Sequence, residues 1–178
     1  MDILISSNLE RLLFELTGHD DVRISQWMRE LQQNGYYEVD KQTLNQVQEL
    51  FWADYSSDAE TKLSINKTWN EEHYLLDTHT AVAMDVYRKY QMATGDDRAA
   101  IIASTASPFK FGKSVAEAIL APEIIKGKSE FETLRILADA AELQIPEGIR
   151  NLEDKKIRHS AVTAPEEMEN TVRLLLDN

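Results

Sequence analysis

Apolar side chains recur every three or four residues through the first half of the chain, which is the spacing of one face of an α-helix. Stripes of this kind predict five helices, near residues 9–16, 24–35, 40–51, 57–69 and 77–95. The third helix is expected to bury Leu44 and Phe51, and the fourth carries Leu63 on its apolar stripe. The fifth is apolar over a wide arc, so we expect it to be more buried than the others.

A repeated capping pattern marks several helix starts. A serine or threonine is followed three residues later by glutamate, so that each side chain accepts a hydrogen bond from an unpaired backbone N–H. The pattern begins five times, at Ser7, Ser57, Ser114, Ser129 and Thr163. It predicts a short helix that Pro122 ends, a helix over 131–143 and a last helix that carries Pro165 in its first turn.

Two apolar runs are typical of strands, one at the very start of the chain and one over residues 99–104. Each leads directly into a helix, as in βα units. Two or three strands cannot form a covered parallel sheet, so we expect the other strands to lie elsewhere, in a longer protein. The predicted fold class is α/β and rich in helices, with few parallel strands. Residues 20–75 form a helical insertion between residues 1–19 and 76–178 of a larger domain.

Composition narrows the possible functions. The formal net charge of −12 disfavours binding to nucleic acid and to anionic membranes. The absence of cysteine excludes disulfides, thiolate metal sites and a cysteine nucleophile, and it fits a reducing cytoplasm. No run is long enough to span a membrane, and no basic leader precedes an apolar segment. We therefore expect a soluble, cytoplasmic protein.

The four histidines, His19, His73, His79 and His159, are not spaced as metal ligands on one helix, so we expect no metal site. His79 lies in the first turn of the fifth helix, where it either contacts a ligand or simply pairs with Asp77. We find no glycine-rich phosphate loop and no nucleophile motif. The residues alone indicate no self-sufficient active site.

The loop after the second apolar run carries small hydroxyl residues, in the sequence STASPFKF from Ser104 to Phe111. One interpretation is a connecting loop whose hydroxyls bind local backbone amides and whose Lys110 is exposed. The other is a ligand-binding edge, because open α/β sheets bind ligands beyond the carboxyl ends of their strands. A hydroxyl suits a heterocyclic nitrogen, and a neighbouring lysine suits a phosphate.

Three motifs resemble the carboxyl-terminal part of threonine synthase, of the longer type found in many bacteria and fungi. They are Asp-Ile-Leu-Ile-Ser-Ser-Asn-x-Glu-Arg near the start, Asp-x-His-Thr-Ala-Val from Asp77, and Ser-Thr-Ala-x-Pro-x-Lys-Phe from Ser104. Their order and rough spacing are kept over essentially the whole chain. Thr78 stands where the family often has proline, and Ser107 where many members have histidine.

The resemblance implies a pyridoxal 5′-phosphate enzyme of the tryptophan-synthase-β type, fold type II. Such an enzyme is a carbon–oxygen lyase that converts O-phospho-L-homoserine and water into L-threonine and phosphate. In that fold a serine or threonine from the late loop faces the pyridine nitrogen, and Thr105 matches it here, with Ser104 as the nearby alternative. Lys110 and Asn8 are the candidates for binding the substrate.

The resemblance places other parts of the site outside this chain. The lysine that holds the cofactor covalently and the loop that binds its phosphate belong to the amino-terminal half of the enzyme. We therefore expect a carboxyl-terminal fragment that is inactive alone and whose partner is the amino-terminal part of the same enzyme. The alternative is a helix-rich interaction or regulatory module without the chemistry. A dehydratase with the same cofactor is disfavoured because the Thr105 motif continues into Pro-x-Lys-Phe.

Overall fold

The computed structural model describes residues 5–158 and 160–176. Within these residues the chain forms ten α-helices: α1 Ser7–Leu16, α2 Asp21–Asn34, α3 Lys41–Leu50, α4 Asp58–Glu72, α5 Thr78–Thr94, α6 Gly112–Ile119, α7 Pro122–Ile125, α8 Glu130–Ala141, α9 Glu147–Arg150 and α10 Met168–Leu176. Two short 3-10 turns, Pro108–Phe111 and Pro165–Glu167, lead into α6 and α10. None of the helices in the described ranges is both long and apolar enough to cross a membrane.

The chain divides into two compact units. One contains the described residues of Met1–Ser57 together with Met84–Ile101, and the other those of Asp58–Ala83 and Ile102–Asn178. The division therefore falls inside α5, between Ala83 and Met84. The domain boundaries predicted from the sequence remain predictions.

The first unit is built on the contact of α1 with α2 and α3. Leu13, Ile24 and Trp27 form its buried cluster, and the ring of Tyr37 stacks on Trp27 with centroids 6.2 Å apart. Asp40 caps α3 by accepting a 3.0 Å hydrogen bond from the backbone N–H of Thr43. Apolar burial and capping by the side chains of Ser6, Asp20 and Asp40 together fix these short helices, which would be marginal alone.

The second unit is organised around α6, which packs against both α4 and α8. Ile65 of α4, Val115 of α6 and Leu137 of α8 are completely buried, each with 0% exposure. Gly112 opens α6 directly against the side chain of Leu134, so a larger residue there would displace the core of α8. This three-helix core carries the loop that precedes α6.

The five predicted helices of the first half are confirmed, but some of their buried faces are not. Leu44 and Phe51 are 41% and 54% exposed, and Leu63 is 66% exposed. The expectation that α5 is the most buried helix is also wrong, because only Thr80 and Ala81 are buried in it. In α4, by contrast, three small hydroxyl residues share the buried face with Ile65.

The capping patterns have mixed outcomes. The box at Ser129 is confirmed: its hydroxyl accepts from the backbone N–H of Glu132 at 3.2 Å, and the Glu132 carboxylate accepts from the N–H of Ser129 at 2.8 Å. The box predicted at Ser114 is wrong, because α6 already begins at Gly112. The box predicted at Thr163 is also wrong, because Ala164 precedes the turn and no side chain caps it.

The predicted strands are not confirmed. The described residues contain no strand, and residues 99–104 have no regular secondary structure. Ile101 is 99% exposed, as expected of an apolar segment that has no neighbouring strand to cover it. The run at the start of the chain lies almost wholly in residues 1–4, outside the described residues, as does His159.

Candidate functional site

The hydroxyl-rich loop is held at its far end by a proline turn and a buried ring. Ser107 accepts a hydrogen bond of 3.3 Å from the backbone N–H of Phe109, and Pro108 opens the 3-10 turn that leads into α6. The Phe109 side chain is buried, with 4% exposure. These contacts fix where the loop enters the three-helix core of the second unit.

Asp77, immediately before α5, forms the centre of a hydrogen-bond network in the same unit. It is 2% exposed, and its Oδ1 accepts from the backbone N–H of His79 at 2.8 Å and of Thr80 at 3.3 Å. Its Oδ2 accepts from the hydroxyl of Thr80 through a short contact. A carboxylate in this position caps the helix and satisfies backbone donors that would otherwise be unpaired.

Ser104 joins the loop to this network. Its Oγ lies 3.0 Å from Thr80 Oγ1 and 3.4 Å from Asp77 Oδ2, across 24 and 27 residues of sequence. The hydroxyls of Thr80 and Ser104 therefore both lie within hydrogen-bond distance of the Asp77 carboxylate and of each other. The start of the loop is tied to the start of α5 through side chains rather than through a sheet.

The network keeps Asp77 ionised. Burial by itself raises the pKa of Asp77, but the hydrogen bonds from the Thr80 hydroxyl and from the backbone and side chain of His79 outweigh it. The resulting pKa lies below the ordinary value of 3.8. The site thus contains a buried negative charge that accepts hydrogen bonds from His79, Thr80 and Ser104.

The residues predicted to form the site have different surroundings in the structure. Thr105 is exposed, and its side chain makes no hydrogen bond within the described residues. Lys110 is exposed, with its Nζ 5.6 Å from the centroid of the Phe111 ring. Asn8 belongs to the first unit, where its Oδ1 accepts from the Arg11 guanidinium. Ser104 alone among them is engaged in the Asp77 network.

A cavity of about 800 Å³ in the second unit lies apart from these residues. Its walls come from α6, α7 and the start of α8, and they include the charged side chains of Lys113, Glu117 and Lys128. Glu117 is paired with Lys62 at 2.6 Å and Lys128 with Glu132 at 3.6 Å. We therefore base the candidate site on the Asp77 network and its loop rather than on this cavity.

Comparison with known proteins shows the family to which the chain belongs. Residues 80–172, just over half of the chain, match the sequence model of a family described as "Threonine synthase, C-terminal". The chain belongs to this family. The match begins at Thr80 and takes in Ser104 and the whole loop, whereas Asp77 and His79 lie just before it. The resemblance inferred from the sequence is confirmed.

Individual relatives carry two kinds of name. Threonine synthase of Saccharomyces cerevisiae is 36% identical over 133 residues, which cover 67% of this chain and 26% of that protein. Threonine synthase-like 1 of Homo sapiens is 36% identical over 124 residues, covering 70% of this chain and 16% of that protein. The chain thus spans well under half the length of these curated relatives.

Solved structures extend the match to almost the whole chain. A pyridoxal-phosphate-bound threonine synthase from Brucella melitensis has a TM-score of 0.67 and 27% identity, covering 98% of this chain and 33% of that one. Yeast threonine synthase has a TM-score of 0.65 and 31% identity, covering 99% of this chain and 35% of that one. The helix-rich fold is therefore similar to about a third of each of these threonine synthases.

The sequence predicts the loop but not the residue that anchors it. From sequence, Asp77 marks the start of the fifth helix, pairs with His79 and opens a motif that also contains Thr80, but nothing predicts its contact with Ser104. The available signal was Asp77-Thr78-His79-Thr80, an acidic residue directly before a helix, which is a typical N-cap. The link from Asp77 to Ser104 depends on tertiary structure and could not be deduced from spacing.

Proposed function

We propose that this chain is the carboxyl-terminal part of a threonine synthase, a pyridoxal-phosphate-dependent lyase that converts O-phospho-L-homoserine and water into L-threonine and phosphate. The observation that carries the proposal is the exposed Thr105 hydroxyl beside the anchored Ser104, in a chain that matches a pyridoxal-phosphate-bound threonine synthase over 98% of its length. The parallel strands of the predicted fold belong to the same proposal. They would form with segments outside this chain.

The residues present fit the cofactor. The Thr105 hydroxyl, which has no hydrogen-bond partner among the described residues, is available to the pyridine nitrogen of the cofactor, while the neighbouring Ser104 holds the loop in place. The cofactor, when bound, withdraws electrons from the amino-acid substrate and stabilises carbanion character. A neutral hydroxyl at the nitrogen makes that withdrawal gentler than a carboxylate would, because it does not hold a proton there. Thr105 is therefore the proposed cofactor-binding residue, with Ser104 as the nearby alternative.

Substrate binding is proposed for two further side chains. Lys110 is exposed at the end of the same loop and carries the charge that a phosphate group requires. Asn8 belongs to the first shared motif, and its role rests on that resemblance alone. We also propose that the amino-terminal part of the same enzyme supplies the lysine that binds the cofactor covalently, and that the assembled enzyme is cytoplasmic.

Phosphate release tests this function. The longer protein, read from the coding sequence upstream of Met1 through this chain, should release phosphate from O-phospho-L-homoserine and form threonine in equal amounts. The 178-residue chain, mixed with cofactor and substrate, should release none. The same upstream sequence should contain a Ser-Phe-Lys-Asp stretch.

Absence of phosphate release by the longer protein would favour the second candidate, a non-catalytic helix-rich interaction or regulatory module. Relatives named threonine synthase and threonine synthase-like match this chain with equal identity, 36% in each case, which gives the second candidate its support. A longer protein that binds the cofactor but releases no phosphate would establish it. Phosphate release by the isolated chain would contradict the proposed division of the site.

A further inference from the structure

Asp77 and His79 form an acid–imidazole pair that the proposed function does not use. His79 Nδ1 lies 3.2 Å from Asp77 Oδ1. The carboxylate is 1% exposed, whereas the imidazole is 35% exposed. A buried acid that holds a half-exposed ring is the arrangement in which one group orients another for contact with a ligand.

The pair determines which ring nitrogen carries the proton. Asp77 is ionised and can only accept, so Nδ1 must donate to it. A neutral His79 therefore carries its proton on Nδ1 and a free electron pair on Nε2. No hydrogen bond to Nε2 is found within the described residues. The exposed edge of the ring is a proton acceptor.

Two further contacts hold the ring in place. The same Asp77 Oδ1 accepts the backbone N–H of His79 at 2.8 Å, which fixes the side chain relative to the first turn of α5. The ring of Phe111 lies 5.3 Å from the imidazole, centroid to centroid, at an angle of 48°. Phe111 ends the turn that follows the hydroxyl loop, so the loop packs on His79 from its other end.

The pair of Asp77 and His79 is also linked by hydrogen bonds to the loop that carries Thr105. While Oδ1 of Asp77 binds His79, its Oδ2 is engaged with Ser104, the residue next to Thr105. One carboxylate therefore positions both the imidazole and the start of the loop. Displacing it would alter both at once.

We propose that His79 is a catalytic proton acceptor and that Asp77 is its positioning residue. This inference rests on the proposed function, whose reaction consumes water. The O–H bond of that water breaks and its proton forms a new bond with the electron pair of Nε2. The oxygen keeps the electron pair of the broken bond and uses it to bind the substrate carbon. The ionised Asp77 stabilises the positive charge that the imidazole gains.

Nitrogen NMR of the 178-residue chain tests the geometry without any reaction. In the neutral ring, His79 should show a proton on Nδ1 and none on Nε2. His73, which is exposed in the same unit, is the matched control and should show the mixture of tautomers of a free histidine. In Asp77→Asn the His79 signal should shift towards that mixture. A wild-type His79 with its proton on Nε2 would overturn the proposal.

Kinetics of the longer protein tests the proton transfer. In His79→Asn the side-chain amide can still donate to Asp77, but nothing replaces Nε2. We expect kcat to fall on the order of 10²-fold or more, with KM and the thermal melt nearly unchanged. His73→Asn should leave kcat unaltered.

A failure of the proton-acceptor role of His79 can be distinguished from a failure of the proposed function. A normal kcat in His79→Asn would overturn the proton-acceptor role while leaving the proposed function intact. A wild-type protein that releases no phosphate would overturn the proposed function, and the water-activating role of His79 with it, whatever tautomer His79 shows.

Discussion

At the scale of single residues, Asp77 has the largest structural effect in the candidate site. One carboxylate with 1% exposure caps α5, binds an imidazole and anchors a loop 27 residues away. The sequence shows that an acid precedes the helix, and this much is predictable from capping preferences. The distant contact with Ser104 is not, because hydroxyl residues in a loop have many local partners available to them.

Replacing Asp77 by alanine should destabilise the second unit by about 2 kcal/mol, because a cap is lost and buried donors are left without an acceptor. The loss of unfolding free energy is measured by urea denaturation monitored by circular dichroism. Thr105→Val is the control, since its side chain makes no hydrogen bond within the described residues, and it should change the unfolding free energy by less than about 0.5 kcal/mol. Equal losses of unfolding free energy in the two variants would contradict the anchoring role of Asp77.

The same carboxylate predicts a pH dependence. Because the folded pKa of Asp77 lies below 3.8, its ionised form contributes stability fully above that value. The contribution is lost as the pH falls below 3.8 through the folded pKa. The stability difference between the wild type and Asp77→Asn should therefore shrink as the pH falls from about 5 to about 2. A difference that stays constant over this range would show that ionisation of Asp77 does not matter.

At the scale of helices, the sequence predicts where helices occur better than which side they bury. The stripe containing Leu63 is apolar, yet α4 buries Thr61, Ser64 and Thr68 beside Ile65. Small hydroxyl residues allow α6 to approach closely, a tertiary effect that periodicity does not contain. Likewise the capping pattern appears at Ser114, but the turn at Pro108 starts α6 earlier. A local pattern forms a cap only where the chain is free to begin a helix.

Two serines with the same capping pattern should therefore respond differently to alanine. Ser129→Ala removes a formed capping box and should cost about 1 kcal/mol of unfolding free energy. Ser114 lies within α6 and does not cap it, so Ser114→Ala should stay within about 0.5 kcal/mol of the wild type. Thermal or urea unfolding of the two variants side by side is the measurement. A comparable loss in both would mean that α6 is capped by Ser114 after all.

The packing of α6 on α8 gives a second matched pair. An added Cβ at Gly112 collides with the buried Leu134 side chain, so Gly112→Ala should destabilise by about 1–3 kcal/mol. Gly148 in α9 has open space around it, and Gly148→Ala should stabilise by about 0.5–1 kcal/mol through reduced backbone entropy of the unfolded chain. The two substitutions are expected to change the unfolding free energy in opposite directions. A neutral Gly112→Ala would show that the contact between α6 and α8 is looser than described.

At the scale of the whole molecule, large apolar side chains are left uncovered in the later part of the chain. The most exposed of them are Ile101, Ile157, Val162 and Leu176, at 99%, 82%, 97% and 80%. The solved threonine synthases are about three times as long as this chain, since it covers 33% and 35% of them. The apolar run at 99–104 predicts a strand from sequence, and its partners would come from outside the chain under the proposed function.

The isolated chain should accordingly bind a hydrophobic dye such as ANS, because several of its large apolar side chains are almost fully exposed. The longer protein should bind much less dye per molecule, and Ile101→Lys should reduce binding in the chain but destabilise the longer protein. Dye fluorescence and thermal unfolding provide the two readouts. Equal dye binding by the chain and the longer protein would contradict the idea that upstream segments cover these residues.

Under the proposed function, the Thr105 hydroxyl contacts the ring nitrogen of pyridoxal phosphate. The most direct measurement is a crystal structure of the longer protein with the cofactor bound. We expect Thr105 Oγ1 at about 2.7–3.2 Å from that nitrogen, with Ser104 still hydrogen-bonded to Asp77. A cofactor bound with another side chain at its nitrogen and Thr105 facing away from it would contradict the account.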